Sequence, residues 1–559
     1  MSACAVLAIA PVRPAGADSY VPVAGAGSTW SQNAIDQWRR DVQQYGMRLD
    51  YAGTGSSDGR RQFLNGTVDF AASDIPFQFH PEDNSTPENP APGSYAYMPV
   101  TAGGTVFMYN LTINGQRVTN LRLSGQNITK IFTGVISTWN DPAIAADNPG
   151  LTLPGRKIVP VVRSDGSGST AQFTMWMINQ HADLWNAYCQ KSGRAPACGQ
   201  TSYYPTISGM IAQSGDLGVA GYVAQTYAEG AIGYVNYSYA LNANFPVAKM
   251  LNMAGYYTEP TPDNVAVSLL KAQINTNASS PDYLTQQLSG VYADSDPRTY
   301  PLSSYSYMIL PTVVQGQFST DKGKTLGAFA YYAMCQGQQE SASLGYSPMP
   351  INLVQASFDQ IRKIPGVVVQ NINIQSCNNP TFAPDGTNLL ADHAPMPADC
   401  DKQGPTQCAA GTGGAKSPTP VSPSASAGGG SGAGGSGGGG AGTGNAGGGS
   451  TPGSTARTAT GGGSNAARTT GAKGLAGAAG AAAGASIGQQ CDPDTGACGT
   501  TAGVGDGTSS QQALASPQTL STNRGWHGTQ TLMALVAILT LALILAPAVT
   551  AQLLKGRNR

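Results

Sequence analysis

Three times along the N-terminal half, an apolar stretch gives way to glycines and hydroxyl residues, and apolar positions then return at helical spacing. The first is Val21-Pro-Val-Ala-Gly25-Ala-Gly27-Ser28-Thr29-Trp30, followed by Ala34, Ile35, Trp38 and Val42, which predicts a strand, a tight turn and a helix beginning near Ser28. The second is Leu49-Asp-Tyr-Ala-Gly53-Thr54-Gly55-Ser56-Ser57-Asp58-Gly59, leading into Phe63 and Leu64. The third, Lys157-Ile-Val-Pro-Val-Val162-Arg163-Ser164-Asp165-Gly166-Ser167-Gly168-Ser169-Thr170, precedes the amphipathic run Phe173 to Ile178. Strands, glycine turns and helices in this order predict α/β units.

The pattern stops well before the end of the 559 residues. Between Asp401 and Gly525 lie 35 of the 72 glycines and no Phe, Trp or Tyr, so this stretch has too little apolar surface to fold and predicts a flexible spacer. About 125 such residues have an r.m.s. span on the order of 60 Å. Leu532 to Ala551 then runs without a charge, long enough at about 1.5 Å per residue to cross a bilayer core of roughly 30 Å. Trp526 is placed for one interface, and Lys555, Arg557 and Arg559 are expected to hold the C-terminus in the cytoplasm.

At the other end, a short apolar run in residues 1–11 followed by Ala15-Gly16-Ala17 has the form of a signal peptide. Its removal takes Cys4 and leaves eight cysteines in neighbouring pairs: Cys189 and Cys198, Cys335 and Cys377, Cys400 and Cys408, Cys491 and Cys498. An even number without C-x-x-C spacing favours disulfides in an oxidising exterior over a metal site, with 105 connectivities open.

The formal net charge of −1, with 11% charged residues, excludes a broad attraction for nucleic acid or anionic membranes. His80, His181, His393 and His527 are scattered and have no metal-ligand spacing, which argues against a zinc hydrolase or a Ser-His-Asp enzyme. No Walker A loop or dinucleotide fingerprint is present, and no cofactor is expected. Strand-to-helix turns rich in glycine and hydroxyls instead suit one small anion, which exposed N–H groups at helix starts attract. Taken singly, Ser28 and Thr29 read first as N-caps. Arg163 offers a bidentate fork to a phosphate oxygen, or an ion pair to Asp165. Asp74, in Val68-Asp-Phe-Ala-Ala-Ser73-Asp74-Ile-Pro76, caps the turn before Pro76 or accepts a proton from an anion that carries one. Hydrogen phosphate has such a proton at neutral pH; sulfate does not.

At these residues the sequence resembles the substrate-binding component of high-affinity phosphate ABC transporters, which has a type II periplasmic-binding-protein fold. The resemblance extends to Ala102-Gly103-Gly104, Ile131-Phe-Thr-Gly134-Val-Ile-Ser-Thr-Trp139-Asn-Asp-Pro142, Gly221-Tyr-Val, Gly230-Ala-Ile-Gly-Tyr234, Tyr300-Pro-Leu and Leu344-Gly-Tyr-Ser-Pro348. It covers about residues 21 to 365, in family order. It implies a two-lobed α/β fold: residues 18–100 and 306–385 in lobe 1, 101–305 in lobe 2, with crossings near Pro99–Gly104 and Pro301–Tyr307. Outside it fall the signal peptide (1–17), the spacer (386–525), the membrane helix (526–552) and a basic tail (553–559).

The resemblance also implies roles. Thr29 and Trp30 supply backbone and hydroxyl donors to phosphate, as does Ser56; Asp74 accepts the phosphate proton; Arg163 pairs with the anion, oriented by Asp165; and Ser167, Gly168 and Ser169 complete the third helix start, with Ser28 in support. Trp30 stands where the family usually has Phe, and Ser169 where Thr is common; neither change removes a donor. The implied protein is no enzyme but an extracellular phosphate receptor, a monomeric binding domain tethered by one C-terminal helix and serving an ABC permease. A membrane-anchored oxyanion sensor or surface interaction protein of the same fold is the other reading, motivated by the tether.

Overall fold

In the computed structural model, residues 20–194, 199–383 and 385–421 are described. The first two predicted units form and join: β1 (Val23–Gly27), α1 (Gln32–Asp41), β2 (Leu49–Gly53), α2 (Ser56–Leu64) and β3 (Phe70–Ser73). β1 pairs in parallel with both β2 and β3, a geometry that requires long crossover connections, which α1 and α2 supply. Gly27 adopts φ +136°, and a Cβ there would lie 2.0 Å from the carbonyl oxygen of Ala72, so only glycine lets β1 and β3 approach at this level.

The rest of the main sheet comprises β4 (Tyr95–Tyr109), β5 (Val159–Arg163), β6 (Ile211–Gln213), β7 (Ala231–Asn236) and β8 (Ser303–Pro311), in the order β2-β1-β3-β8-β4-β7-β5-β6. α3 (Gly168–Lys191) follows β5, and α4 (Gly215–Val223) follows β6. The long strand β4 makes the fold two-lobed. From Tyr95 to Gly104 it pairs antiparallel with β8, and from Thr105 to Tyr109 it pairs with β7. Lobe 1 is thus built on β1, β2, β3 and β8, lobe 2 on β5, β6 and β7, and the chain passes between them at Gly104/Thr105. The C-terminal ends of β1, β2, β3 and β5 converge beside this switch, where open α/β sheets bind ligands. Phe107, Phe132, Phe173 and Tyr234 meet in the core of lobe 2 with ring centroids 5.2–5.8 Å apart.

Two expectations need correction. α1 begins at Gln32, not near Ser28. The Ser28 N–H bonds Ala72 O at 2.8 Å, which keeps the chain tied to β3 one residue beyond β1, and Ser28 to Ser31 then form a turn before the helix. The folded unit also continues past residue 385, so the spacer does not begin at 386. Cys335–Cys377 is a disulfide of lobe 1; the chain then crosses by a short helix, Leu389–Asp392, whose Ala391 packs against Ala266 and Val267, to the Cys400–Cys408 disulfide. From there it docks on lobe 2: Arg122 donates to the carbonyls of Cys400 and Thr406, Lys249 pairs with Asp401 at 2.7 Å, and Thr412 and Thr419 bond Thr119. Lack of aromatics excludes an independent core, but this segment needs none, because it bonds to a surface that is already folded.

Cys189 is also disulfide-bonded. Cys198, Cys491 and Cys498, the signal peptide, the Gly-rich residues beyond 421, the apolar run Leu532–Ala551 and the basic tail lie outside the described residues. Among the described residues, no helix is long and apolar enough to cross a membrane.

Candidate functional site

Where the strand ends converge, the predicted site residues come together, nearly all of them buried. Ser28, Thr29, Trp30, Ser56, Asp74, Arg163, Ser167 and Ser169 are each 1–4% exposed. Asp74 follows β3 directly. Its Oδ1 accepts from Ser28 Oγ at 2.7 Å and from Ser306 Oγ at 2.8 Å, and its Oδ2 accepts from Ser56 Oγ at 3.3 Å. Burial pushes its pKa up to about 6; the hydroxyls of Ser28 and Ser306 and the more distant Arg163 pull it down, while the Asp216 charge adds to the rise.

Arg163 ends β5. Its Nε and one terminal nitrogen bond the two oxygens of Asp165 at 2.8 and 2.5 Å, and the other terminal nitrogen bonds Asp216 Oδ2 at 2.5 Å. These bonds use three of five N–H donors and leave two for a ligand. Burial opposes the guanidinium charge, but Asp216 and Asp165 more than offset it and raise the pKa above its ordinary value. Burial likewise works against the Asp165 carboxylate, and Arg163 outweighs it, holding Asp165 below the usual range.

The third helix start faces Asp74. Ser167 caps α3, its Oγ accepting from Thr170 N at 3.2 Å, so the N–H groups of Gly168 and Ser169 have no acceptor within the helix. Ser169 Oγ is buried without a hydrogen-bond partner. A Cβ on Gly168 would lie 2.5 Å from Asp74 Oδ2 and 2.6 Å from Ser56 Oγ, so only glycine brings this helix start against the opposite wall. A buried donor without a partner is costly, and the Ser169 hydroxyl beside the free N–H groups of the α3 start could give its bond to a ligand.

The lobes are closed on one another. Ser57 N donates to Gly166 O at 3.0 Å, Gln172 Nε2 to Asp74 O at 2.8 Å, and Tyr239 Oη to Thr29 O at 2.6 Å. Further out, Asp83 accepts from Thr201 and Glu82 from Gln200 N.

Two side-chain assignments change. The Thr29 hydroxyl, expected to serve the anion, donates instead to Asp216 Oδ2 at 2.6 Å, across the lobes. The Ser56 hydroxyl is directed to Asp74. Both residues keep main-chain N–H groups. The Trp30 indole lies in the core, donating to Thr105 Oγ1 at 3.1 Å with its ring edge against Tyr346. Asp216 and Ser306 join the site beyond the residues expected from the sequence. For Asp216 a signal existed: Ile211–Gln213, then Ser214-Gly215-Asp216, then an apolar run repeats the strand-turn-helix pattern. Ser306 had none, since it reaches Asp74 only through the pairing of β8 with β3.

Residues 12–336 match the model of the PBP superfamily domain. The phosphate-binding protein PstS of Xylella fastidiosa (strain Temecula1) is 32% identical over 336 residues, covering 60% of this chain and 83% of that protein. Phosphate-binding protein PstS 2 of Mycobacterium tuberculosis is 30% identical over 347 residues, covering 58% and 82%. A solved high-affinity periplasmic phosphate-binding protein, PfluDING, bound with phosphate, is similar with a TM-score of 0.46 and 18% identity, covering 63% of this chain and all of that one. By its superfamily match and by these relatives, the chain belongs to the PBP superfamily and, within it, to the family of the phosphate-binding proteins PstS.

Proposed function

We propose that this chain captures inorganic phosphate between its lobes and delivers it to an ABC permease for import. The observation that carries the reading is the buried meeting of Arg163, the α3 start with its unpartnered Ser169 hydroxyl, and the Asp74 carboxyl. The two remaining Arg163 N–H groups fork the phosphate oxygens. The N–H groups of Thr29, Trp30, Ser56, Gly168 and Ser169 and the Ser169 hydroxyl surround the anion, and Ser167 fixes the α3 start. Asp74 accepts a proton from the ligand, and Ser28 and Asp165 hold Asp74 and Arg163 in place. An anion without a proton leaves two acceptors facing each other, which rejects sulfate.

Lobe 1, expected over 18–100 and 306–385, is assigned to about residues 20–104 and 303–385 and lobe 2 to about 105–302, with 386–421 carried mainly on lobe 2. The charge-free run Leu532–Ala551 and the Gly-rich stretch before it support a receptor held outside the cell on a single C-terminal helix, with the basic tail inside. Calorimetric titration of the full chain in detergent, freed of bound phosphate, tests the receptor chemistry. Tight one-to-one phosphate binding without a sulfate response is expected; binding of neither anion would refute it.

A further inference from the structure

Ser306, the β8 residue that reaches Asp74, is held on both flanks by one side chain. β3 pairs with β8 only at Tyr307, Met308 and Ile309, and it ends at Ser73. Just ahead of β8, Thr105 N donates to Leu302 O at 3.0 Å. Antiparallel ladders bond at every second residue, so the main-chain groups of Tyr305 point away from β4, to the edge that β3 has left. Gln286 fills that gap. Its Oε1 accepts from Tyr305 N at 2.7 Å and its Nε2 donates to Tyr305 O at 2.8 Å, so one carboxamide makes both bonds that a strand would have made. Its own main-chain N–H donates to the Tyr307 hydroxyl at 2.8 Å.

Gln286 stands in a short hairpin, Gln273–Ile274 paired with Gln286–Gln287, that falls within the lobe 2 stretch of the chain yet reaches β8 in lobe 1. Pro281 O in its loop accepts from Tyr95 Oη at 2.9 Å and fastens the hairpin to lobe 1 a second time. β3 must part from β8 after Ser73 for Asp74 to turn into the cleft, but Ser303, Ser304, Tyr305 and Ser306 are all buried, and main-chain groups left unpaired there are costly. Between the two anchored tyrosines, the Ser306 hydroxyl is directed at Asp74 Oδ1 at 2.8 Å, with Ser73 O at 3.4 Å. We infer that Gln286 is a positioning residue of the phosphate site: by holding β8 where β3 departs, it aims the Ser306 hydroxyl at the Asp74 carboxyl. The inference rests on the phosphate reading above. The influence of Gln286 on the ligand passes through Ser306 and not through contact with the anion.

The test is a double-mutant cycle, read by calorimetric titration of the full chain in detergent with inorganic phosphate. Ser306→Ala removes one hydrogen bond to Asp74 and is expected to weaken phosphate binding roughly threefold to tenfold. Gln286→Met, of similar length but without the carboxamide, is expected to weaken it by a similar factor, and the double variant to bind no more weakly than Ser306→Ala alone. In the phosphate-free protein, the carboxyl-carbon NMR resonance of Asp74 is expected to move in the same direction in both single variants. A merely structural role for Gln286 would lower stability without moving that resonance or the affinity of the folded protein. Wild-type affinity in Gln286→Met, or losses that simply multiply in the double variant, overturns the inference and leaves the receptor intact. Absence of phosphate binding by the wild type overturns the receptor reading and this inference together. Should Gln286→Met not fold, Tyr307→Phe, which removes only the hydroxyl that the Gln286 N–H bonds, takes its place in the cycle, with a loss of about twofold expected and the same two outcomes against it.

Discussion

The two walls of the cleft treat the same chemical group in opposite ways. On the lobe 1 wall, the partners of Asp74 are the neutral hydroxyls of Ser28, Ser56 and Ser306, and burial raises its pKa to about 6. On the lobe 2 wall, both oxygens of Asp165 are likewise hydrogen-bonded, but to Arg163, which holds this carboxyl below the usual range despite its burial. The first carboxyl is poised to exchange a proton near neutrality; the second serves only as a fixed negative charge that aims a guanidinium. Hydroxyls satisfy a buried carboxyl geometrically without balancing its charge, and a cation does both. On the proposed phosphate reading, one wall takes the ligand's proton while the other supplies attraction.

Removing the sensing group should have the largest effect. In Asp74→Asn the ligand's proton loses its acceptor and a sulfate oxygen gains a donor. The discrimination between phosphate and sulfate, expected on the order of 10⁴ in the wild type, should collapse in paired titrations. A variant that still refused sulfate would break the comparison on the lobe 1 side.

Next comes the cation. Arg163→Met leaves Asp165 and Asp216 buried without their partner, and should cost about 3–5 kcal/mol in chemical unfolding of the phosphate-free protein as well as abolishing phosphate binding. Unchanged stability would show that the lobe 2 carboxylates do not depend on it.

The third effect concerns pH. The folded Asp74 pKa of about 6 lies above the unfolded value near 3.8, so between these values the folded state binds more protons than the unfolded chain. Its contribution to stability is fully present below the unfolded value and is lost as pH rises through about 6, an amount of roughly 3 kcal/mol. Asp165, lowered instead, contributes in the opposite sense: its stabilisation is present above its unfolded pKa and is lost as pH falls through the folded one. The difference between wild-type and Asp74→Asn unfolding free energies, measured across pH 4 to 6 without phosphate, should isolate the Asp74 share; parallel curves would contradict it.

Smallest is Ser169→Ala. Its hydroxyl has no protein partner, so stability should hardly change, while phosphate affinity should fall by about 0.5–1.5 kcal/mol, one hydrogen bond. A stability loss without an affinity loss would mean that the hydroxyl serves the fold and not the ligand.

Much of this was legible in the chain itself. Strand, glycine turn, hydroxyls and helix follow one another in sequence, so Ser56, Asp74, Arg163 and the Ser167–Ser169 start could be read from local pattern and family resemblance. Where the reading slipped, distant partners had decided the outcome. The Ser28 N–H bonds Ala72, which delays α1 to Gln32, and the Thr29 hydroxyl goes to Asp216, 187 residues away. The docked 399–421 segment looked like spacer because composition reports a chain's capacity to build a core, not its capacity to hydrogen-bond to one already built.

By itself the sequence determined the α/β units, the hydroxyl-rich helix starts and the charged residues placed at strand ends, because turn chemistry and apolar spacing act over a few residues. Tertiary structure alone decided that Asp74 faces hydroxyls and that a second carboxyl, Asp216, joins Asp165 on Arg163, since β8 brings Ser306 to Asp74, and α4 brings Asp216 to Arg163, only after the strands have paired and the lobes have packed. Electrostatic character depends on neighbours in space, and those neighbours are set by long-range pairing.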